Sequence, residues 1–264
     1  MTTSADRRLA FFVHFHKAGG TSVVELAHRN GETLYPRHAN GNPLDERGKV
    51  HRPWDLSAEA LHAYVDDLLD SGVTFIATEW AVPALEVLGA RPDVQIVTVM
   101  REPVARLISN FRYDYANGYT EHTDIIDYVD DHIAPHTSTS YYTKMLLGAD
   151  WQEDAEPEEL LTVAQQRLEQ MDVVGVLEQS GWVDEICETL GWEPADVKAN
   201  PHRQGWSSRL KRAVKSARGG RTDLAMREFR PVPEVSDVQK ARLREWCDLD
   251  RELYARVVSA RVAA

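Results

Sequence analysis

The sequence predicts an α/β protein in which helices flank a central parallel sheet. Short apolar runs, rich in β-branched or aromatic residues, recur along the chain at 9–15, 73–78, 94–100 and 173–177. Segments with helical spacing of their apolar residues lie between these runs. Strands that alternate with helices favour a parallel sheet, because each helix provides the crossover connection that a parallel pair needs.

The first predicted strand leads into a tight glycine loop and then a helix. The apolar run Leu9–Phe15 breaks at Lys17–Gly20, and residues 21–29 continue with good helix-starting residues and helical periodicity. Residues 30–55 are rich in Gly, Pro, Asn and charged residues without periodicity. A stretch of this kind is typical of a functional loop or lid.

Capping residues mark the predicted helices. Ser57 is expected to cap a helix that Gly72 ends, and a second helix should begin near Pro103 and end before Gly118. The second half should contain a polar helix at 157–170, a helix at 180–190 and a long terminal helix from about Ser236.

Composition restricts the class of protein. At 264 residues the chain can bury a substantial core, and we expect one domain, residues 1–264. A formal net charge of -12 argues against a nucleic-acid partner. No signal sequence or membrane anchor is evident, which predicts a cytoplasmic protein. Cys187 and Cys247 are expected to be reduced core residues, and no metal site is predicted from Cys or His spacing.

The glycine loop is the first candidate site. His16–Ser22 combines a lysine, two glycines and two hydroxyl residues at a predicted helix start, where free backbone N–H groups bind anions. The alternative is a turn that only reverses the chain. In the usual ATP-binding loop the lysine directly precedes a hydroxyl residue, whereas Lys17 precedes the glycines, and the third strand ends in Arg101 rather than Asp. This pattern disfavours an NTPase.

Two motifs resemble a known family. The sequence HFHKAGGTS is similar to the 5′-phosphosulfate loop of sulfotransferases, especially the PKTGGTS form of the heparan sulfate O-sulfotransferase branch. Residues 100–111 resemble that family's 3′-phosphate element, a strand followed by RdPxxRxxSxY/F. Weaker similarity continues at 139–148, 173–192 and 243–257. His16 stands where the family usually has Pro, and Glu102 where it has Asp.

The resemblance implies a P-loop-like sulfotransferase fold and the donor 3′-phosphoadenosine 5′-phosphosulfate (PAPS), with 3′-phosphoadenosine 5′-phosphate (PAP) as product. Lys17 is the candidate for stabilising the leaving oxygen, and Arg101 with Ser109 for the 3′-phosphate. The predicted nucleotide-binding loop consists of Lys17, Ala18, Gly19, Gly20, Thr21 and Ser22. The alternatives are a helix-capping role for Thr21 and Ser22 and a structural salt bridge for Arg101.

Glu79 is the predicted general base. It directly follows the second strand, and strand ends of a parallel sheet meet at the ligand crevice. In the resembled family this position carries the residue that activates the acceptor. We expect burial beside Trp80 to raise its pKa towards neutrality. Alternatively Glu79 pairs with a cation or caps a helix, and His51 or His38 in the long loop is then the next candidate.

The acceptor is predicted only as a hydroxyl compound: a small molecule, glycoside, other glycan or lipid. The basic segment 198–231 is interpreted in three ways, as a nucleotide-covering loop, a solvated face or a surface for an anionic acceptor. Two alternative functions remain, an atypical nucleotide-dependent kinase and a non-catalytic PAP-binding module.

Overall fold

A four-stranded parallel sheet forms the centre of the structure, a computed structural model that describes residues 8–131, 135–197, 214 and 232–263. The strands of the described residues are β1 (Leu9–Val13), β2 (His38–Ala39), β3 (Asn42–Pro43), β4 (Phe75–Thr78), β5 (Val94–Met100) and β6 (Val173–Val176). The main sheet has the order β4-β1-β5-β6 with every pair parallel, and β2 and β3 form a separate antiparallel pair.

Helices connect and cover the strands. Within the described ranges they are α1 (Gly20–Arg29), α2 (Ala58–Asp70), α3 (Leu85–Gly89), α4 (Pro103–Asn117), α5 (Ile125–Asp130), α6 (Tyr141–Leu147), α7 (Pro157–Leu168), α8 (Trp182–Leu190), α9 (Asp237–Trp246) and α10 (Asp248–Ala263). The predicted cap of α2 is confirmed, since the Ser57 hydroxyl accepts a hydrogen bond from the Ala60 N–H. Gly118 ends α4 in the left-handed conformation.

Two apolar cores pack on opposite faces of the sheet. Alternate side chains of β1 point to different faces, because successive residues of a strand face opposite sides. Leu9, Phe11 and Val13 pack with α2, α3, α6 and α7, whereas Ala10 and Phe12 pack with α1 and α8. The predicted fold class, a central parallel sheet flanked by helices, is confirmed.

The structure differs from the sequence prediction in two places. The stretch predicted as an irregular loop at 30–55 contains the β2–β3 pair, and the Ala77 N–H donates to the Gly41 carbonyl at 3.0 Å, which ties this pair to β4. The single terminal helix predicted from Ser236 is two helices, α9 and α10. The break lets α9 pack on α4 and α5 while α10 packs on α6 and α7.

Parallel pairing brings the ends of the central strands to one edge of the sheet. The glycine loop follows β1, Glu79 follows β4, and Arg101 follows β5. In open α/β sheets, ligands bind at the carboxyl edge of the strands. The basic segment 198–231 lies outside the described residues, apart from Val214, so its three interpretations stay untested.

Candidate active site

A cavity of about 890 Å³ opens at the carboxyl edge of the sheet. Its size is in the range of small-molecule and cofactor sites. The lining residues are His14, His16, Lys17, Gly19, Gly20, Thr21, Ser22, Asn40, Glu79, Trp80, Arg101, Ser109, Tyr113, Asp114, Tyr119, Tyr128, His136, Thr137 and Leu177. With the exception of Ala18, all predicted site residues line this cavity.

Backbone conformation and close packing explain why positions 19 and 20 of the loop are glycines. Gly19 has φ 88°, a left-handed conformation that glycine adopts without strain. At Gly20, a Cβ atom would lie 1.9 Å from Nε2 of His14. A side chain at this position therefore has no room unless His14 moves. Lys17 itself has φ 65°, an uncommon conformation for a residue with a side chain.

The start of α1 offers backbone donors to the cavity. The N–H groups of Ser22 and Val23 are bonded to the Gly19 carbonyl, whereas those of Gly20 and Thr21 are the first of the helix and have no intrahelical partner. The N-cap is Gly19, without a side-chain capping bond, so Thr21 and Ser22 do not cap α1. Such a helix start favours a phosphate or sulfate group.

Ala18 has a different place from the other loop residues. Its side chain is fully buried in the apolar core, and its N–H donates to the Phe15 carbonyl at 3.1 Å. Ala18 therefore shapes the turn, and its N–H is already used within it.

Lys17 lies between the glycine loop and the aromatic wall of the cavity. Its Nζ atom is 3.9 Å from the centre of the Tyr113 ring, a cation–π contact. Burial lowers the pKa of Lys17 to about 8, although Glu79 and Asp114 partly oppose this shift. The ammonium group is thus mostly charged at neutral pH and poorly solvated, which strengthens its interaction with an anion.

Arg101 is held by the glycine loop, α6 and Glu178: its Nη1 donates to the Lys17 carbonyl at 3.4 Å. Its backbone N–H donates to the Tyr142 hydroxyl at 2.9 Å, and its Nε lies 3.8 Å from Oε1 of Glu178. That nitrogen is buried and makes no hydrogen bond within the described residues. The salt bridge expected as an alternative thus exists, but it leaves donor capacity unused. Ser109, two turns along α4, lines the same cavity.

Glu79 is fixed by groups from two other parts of the chain. Its N–H donates to the Asn42 side chain at 2.9 Å, its Oε1 lies 2.6 Å from Nδ1 of His16, and Nδ1 of His14 is 3.6 Å from the same oxygen. Because Val13 and Thr78 are paired in the sheet, the residues after them face each other across the strand ends. The carboxylate and the two imidazoles therefore meet at the cavity floor.

The expected rise in the pKa of Glu79 is wrong. Burial does raise the pKa, as predicted, but the neighbouring His14, His16 and Lys17 outweigh it and lower the pKa to about 2. The sequence could not show this, because the β1–β4 pairing creates the His14 and His16 contacts. Glu79 is therefore an ionised carboxylate at neutral pH.

The sequence did not predict a second carboxylate–imidazole pair, which Asp114 and His136 form. The Tyr128 hydroxyl donates to Oδ2 of Asp114 at 2.6 Å, and Nε2 of His136 lies 3.4 Å from the same oxygen. The His136 ring is 5.0 Å from the ring of His16. Tyr113 could have been found from its position one helical turn after Ser109, but His136 has no such local signal.

His38 and His51, expected as alternative bases, do not line this cavity. Nδ1 of His38 accepts a hydrogen bond from the Gly41 N–H at 3.1 Å. His51 packs between the rings of Tyr35 and Tyr64, at centroid distances of 5.0 and 5.9 Å. The histidines near Glu79 are instead His14 and His16.

Membrane-spanning helices and metal-binding clusters are both absent from the part of the chain that the structure describes. No described helix has the length and apolar character needed to cross a bilayer. No group of three or more described His, Cys, Asp or Glu side chains is arranged to hold a metal ion.

Similarity to known proteins is found among solved structures. No family model matches this chain, and no curated protein matches it. A sulfotransferase from Alicyclobacillus acidocaldarius is 14% identical, with a TM-score of 0.41 over 82% of this chain and 94% of its own. A retinol dehydratase in complex with androsterone and inactive cofactor PAP is 14% identical, with a TM-score of 0.32 over 93% of this chain and 66% of its own. Similarities this distant assign neither a family nor an activity to the chain.

Proposed function

We propose that this protein is a PAPS-dependent O-sulfotransferase. One observation carries the proposal: the glycine loop, Arg101 with Ser109, and Glu79 all line one cavity at the carboxyl edge of the sheet. Two separate groups of anion donors suit a nucleotide with two separate phosphate positions. A carboxylate in the same cavity is placed to accept a proton.

The residues present fit such a nucleotide. The Gly20 and Thr21 N–H groups at the start of α1 would hold the 5′-phosphate, with Lys17 beside it. Arg101 would bind the 3′-phosphate together with Ser109, since both residues line the cavity and a guanidinium group presents several N–H donors to a phosphate. When bound, PAPS supplies the sulfuryl group that the acceptor oxygen receives, with PAP as the second product.

The chain's own groups account for catalysis. Lys17 stabilises the negative charge that builds up on the leaving oxygen, and Glu79 accepts the proton of the acceptor hydroxyl. As the acceptor oxygen begins to bond to sulfur, its proton becomes more acidic and is accepted in the transition state. A carboxylate of low pKa is therefore a sufficient base.

Nucleotide binding and transfer test this proposal separately. Saturating PAP should raise the melting temperature, because a ligand that binds only the native state stabilises it, and calorimetry should show direct binding. Labelled PAPS should then transfer its sulfuryl group to a hydroxyl acceptor. No melting shift together with no calorimetric binding would refute the proposal. Magnesium-dependent ATP turnover without PAP binding would indicate a kinase, and PAP binding without any transfer a non-catalytic module.

A further inference from the structure

The cavity has two chemically distinct parts. The part at the glycine loop contains Lys17 and Arg101, the lysine and arginine found among the described lining residues. The other part is lined mainly by aromatic side chains and two carboxylates: Trp80, Tyr113, Tyr119, Tyr128, Glu79 and Asp114. If the first part binds the nucleotide, as proposed above, the second part is left for the acceptor.

Two aromatic side chains at this second part are strongly exposed. Trp80 is 55% exposed and Tyr119 is 64% exposed. Among the large hydrophobic side chains that are exposed in the described residues, these two are the aromatic ones, and both line the cavity. Exposed aromatic rings beside a cavity mark a surface that binds a ligand with an apolar face.

Their neighbours place these rings next to the reacting groups. The Tyr119 ring is 6.2 Å from the Tyr113 ring, whose face is covered by the ammonium group of Lys17. Trp80 directly follows Glu79 in the chain. Tyr119 is therefore linked to Lys17 through the Tyr113 ring, Trp80 is the chain neighbour of Glu79, and all five residues line the same cavity.

The carboxylates in this part of the cavity disfavour an anionic acceptor. Asp114 is buried and accepts a hydrogen bond from the Tyr128 hydroxyl, and Glu79 is ionised at neutral pH. A chain of uronates or sulfates would place further negative charges beside these carboxylates, and like charges in a partly desolvated site repel strongly.

We infer that the acceptor is an uncharged alcohol with a flat ring that packs against Trp80 and Tyr119. The ring is supplied by an aryl group or by a neutral sugar, since both present a flat face of C–H or π character to an aromatic side chain. This inference rests on the proposed sulfuryl transfer and adds a substrate class to it. The inference predicts that a polyanionic polysaccharide binds this part of the cavity less tightly than a neutral acceptor does.

Binding titrations on the full chain test the inference, with and without saturating PAP. The probes are 2-naphthol for the aryl group, methyl β-cellobioside for the neutral sugar, and a heparosan oligosaccharide for the polyanion. At least one neutral probe should bind, and Trp80→Ala and Tyr119→Ala should each weaken it by about tenfold, the scale of one lost aromatic contact. Val238→Ala is the control, because Val238 is 81% exposed and does not line the cavity.

The neutral probe that binds identifies the source of the ring. The inference is overturned if neither neutral probe binds, if both variants bind it as the wild type does, or if heparosan binds more tightly. PAP is titrated against the same variants and should bind each like the wild type. If the wild-type protein does not bind PAP at all, the proposed function is refuted. The titrations without PAP still measure whether the neutral probes bind at Trp80 and Tyr119.

Discussion

Nδ1 of His16 lies 2.6 Å from Oε1 of Glu79, a contact that joins the chain after β1 to the end of β4. The backbone N–H of His16 also donates to the Tyr141 hydroxyl at 2.8 Å, so His16 is held at both its backbone and its side chain. One carboxylate oxygen of Glu79 is therefore occupied by the protein. The imidazole of His16 thus orients the Glu79 carboxylate and favours its ionised form.

Replacing Glu79 tests the proposed base. Glu79→Gln keeps the size of the side chain but removes the proton acceptor, so transfer should fall by about 10²-fold or more, the usual scale for a general base. PAP affinity should stay near the wild-type value. Glu59→Gln, on the exposed face of α2, is the matched control. Nearly full turnover in Glu79→Gln would mean that another group takes the proton.

Replacing His16 should change the pH dependence of transfer. His16→Phe keeps a ring but loses the hydrogen bond, so the pKa of Glu79 should rise from about 2, because burial then acts with less opposition. Glu79 is inactive as a base below its pKa, and the acidic limb of the pH–rate profile should therefore move to higher pH. His16→Gln, which keeps a donor, should move it less. If the acidic limb of the pH–rate profile stays at the same pH in His16→Phe, then His16 does not set the pKa of Glu79.

Arg101 should distinguish nucleotides by their 3′-phosphate. Arg101→Ala should weaken PAP far more than adenosine 5′-phosphosulfate, which lacks that group, because the guanidinium suits a phosphate better than a point charge does. Arg101→Lys should give an intermediate loss of PAP affinity. Calorimetric titration of both ligands provides the comparison. An equal loss for both would mean that Arg101 supports the fold or the 5′ site.

Lys17 should take up a proton when PAP binds. Its pKa in the free protein is about 8, lowered mainly by burial, and a phosphate beside it should raise that pKa again. Binding should therefore take up roughly half of one proton at pH 8, and close to one proton at pH 9. Titrations in two buffers of different ionisation enthalpy measure this uptake. Lys17→Met should abolish it, and its persistence in that variant would assign the proton to another group.

Gly20 should be intolerant of a side chain because of His14. Gly20→Ala places a Cβ 1.9 Å from the His14 ring, and such overpacking should lower the free energy of unfolding by about 1–3 kcal/mol. In a His14→Ala background the same substitution should cost much less. Denaturant unfolding of the four proteins measures the coupling. Equal costs in both backgrounds would show that the loop, rather than His14, rejects the side chain.

Local patterns in the sequence were sufficient to predict the four strands of the central sheet, the glycine loop and the position of Arg101. Each of these features depends on residues close together in the chain: β-branched runs, a lysine beside two glycines, or a strand directly followed by an arginine. Parallel pairing alone predicted that a ligand binds at the carboxyl edge of the sheet. For the same reason Glu79 could be placed in the site before its neighbours were known.

Only the tertiary structure decided the chemistry around Glu79. The pairing of Val13 with Thr78 brings His14 and His16 to the carboxylate, and this reverses the pKa shift expected from burial alone. His136 reaches the cavity from a segment with no periodic signal, positioned by the buried side chain of Arg106, whose Nη1 donates to the His136 carbonyl at 3.0 Å. A pKa depends on every charge within a few ångströms, and that set is fixed by packing rather than by order along the chain.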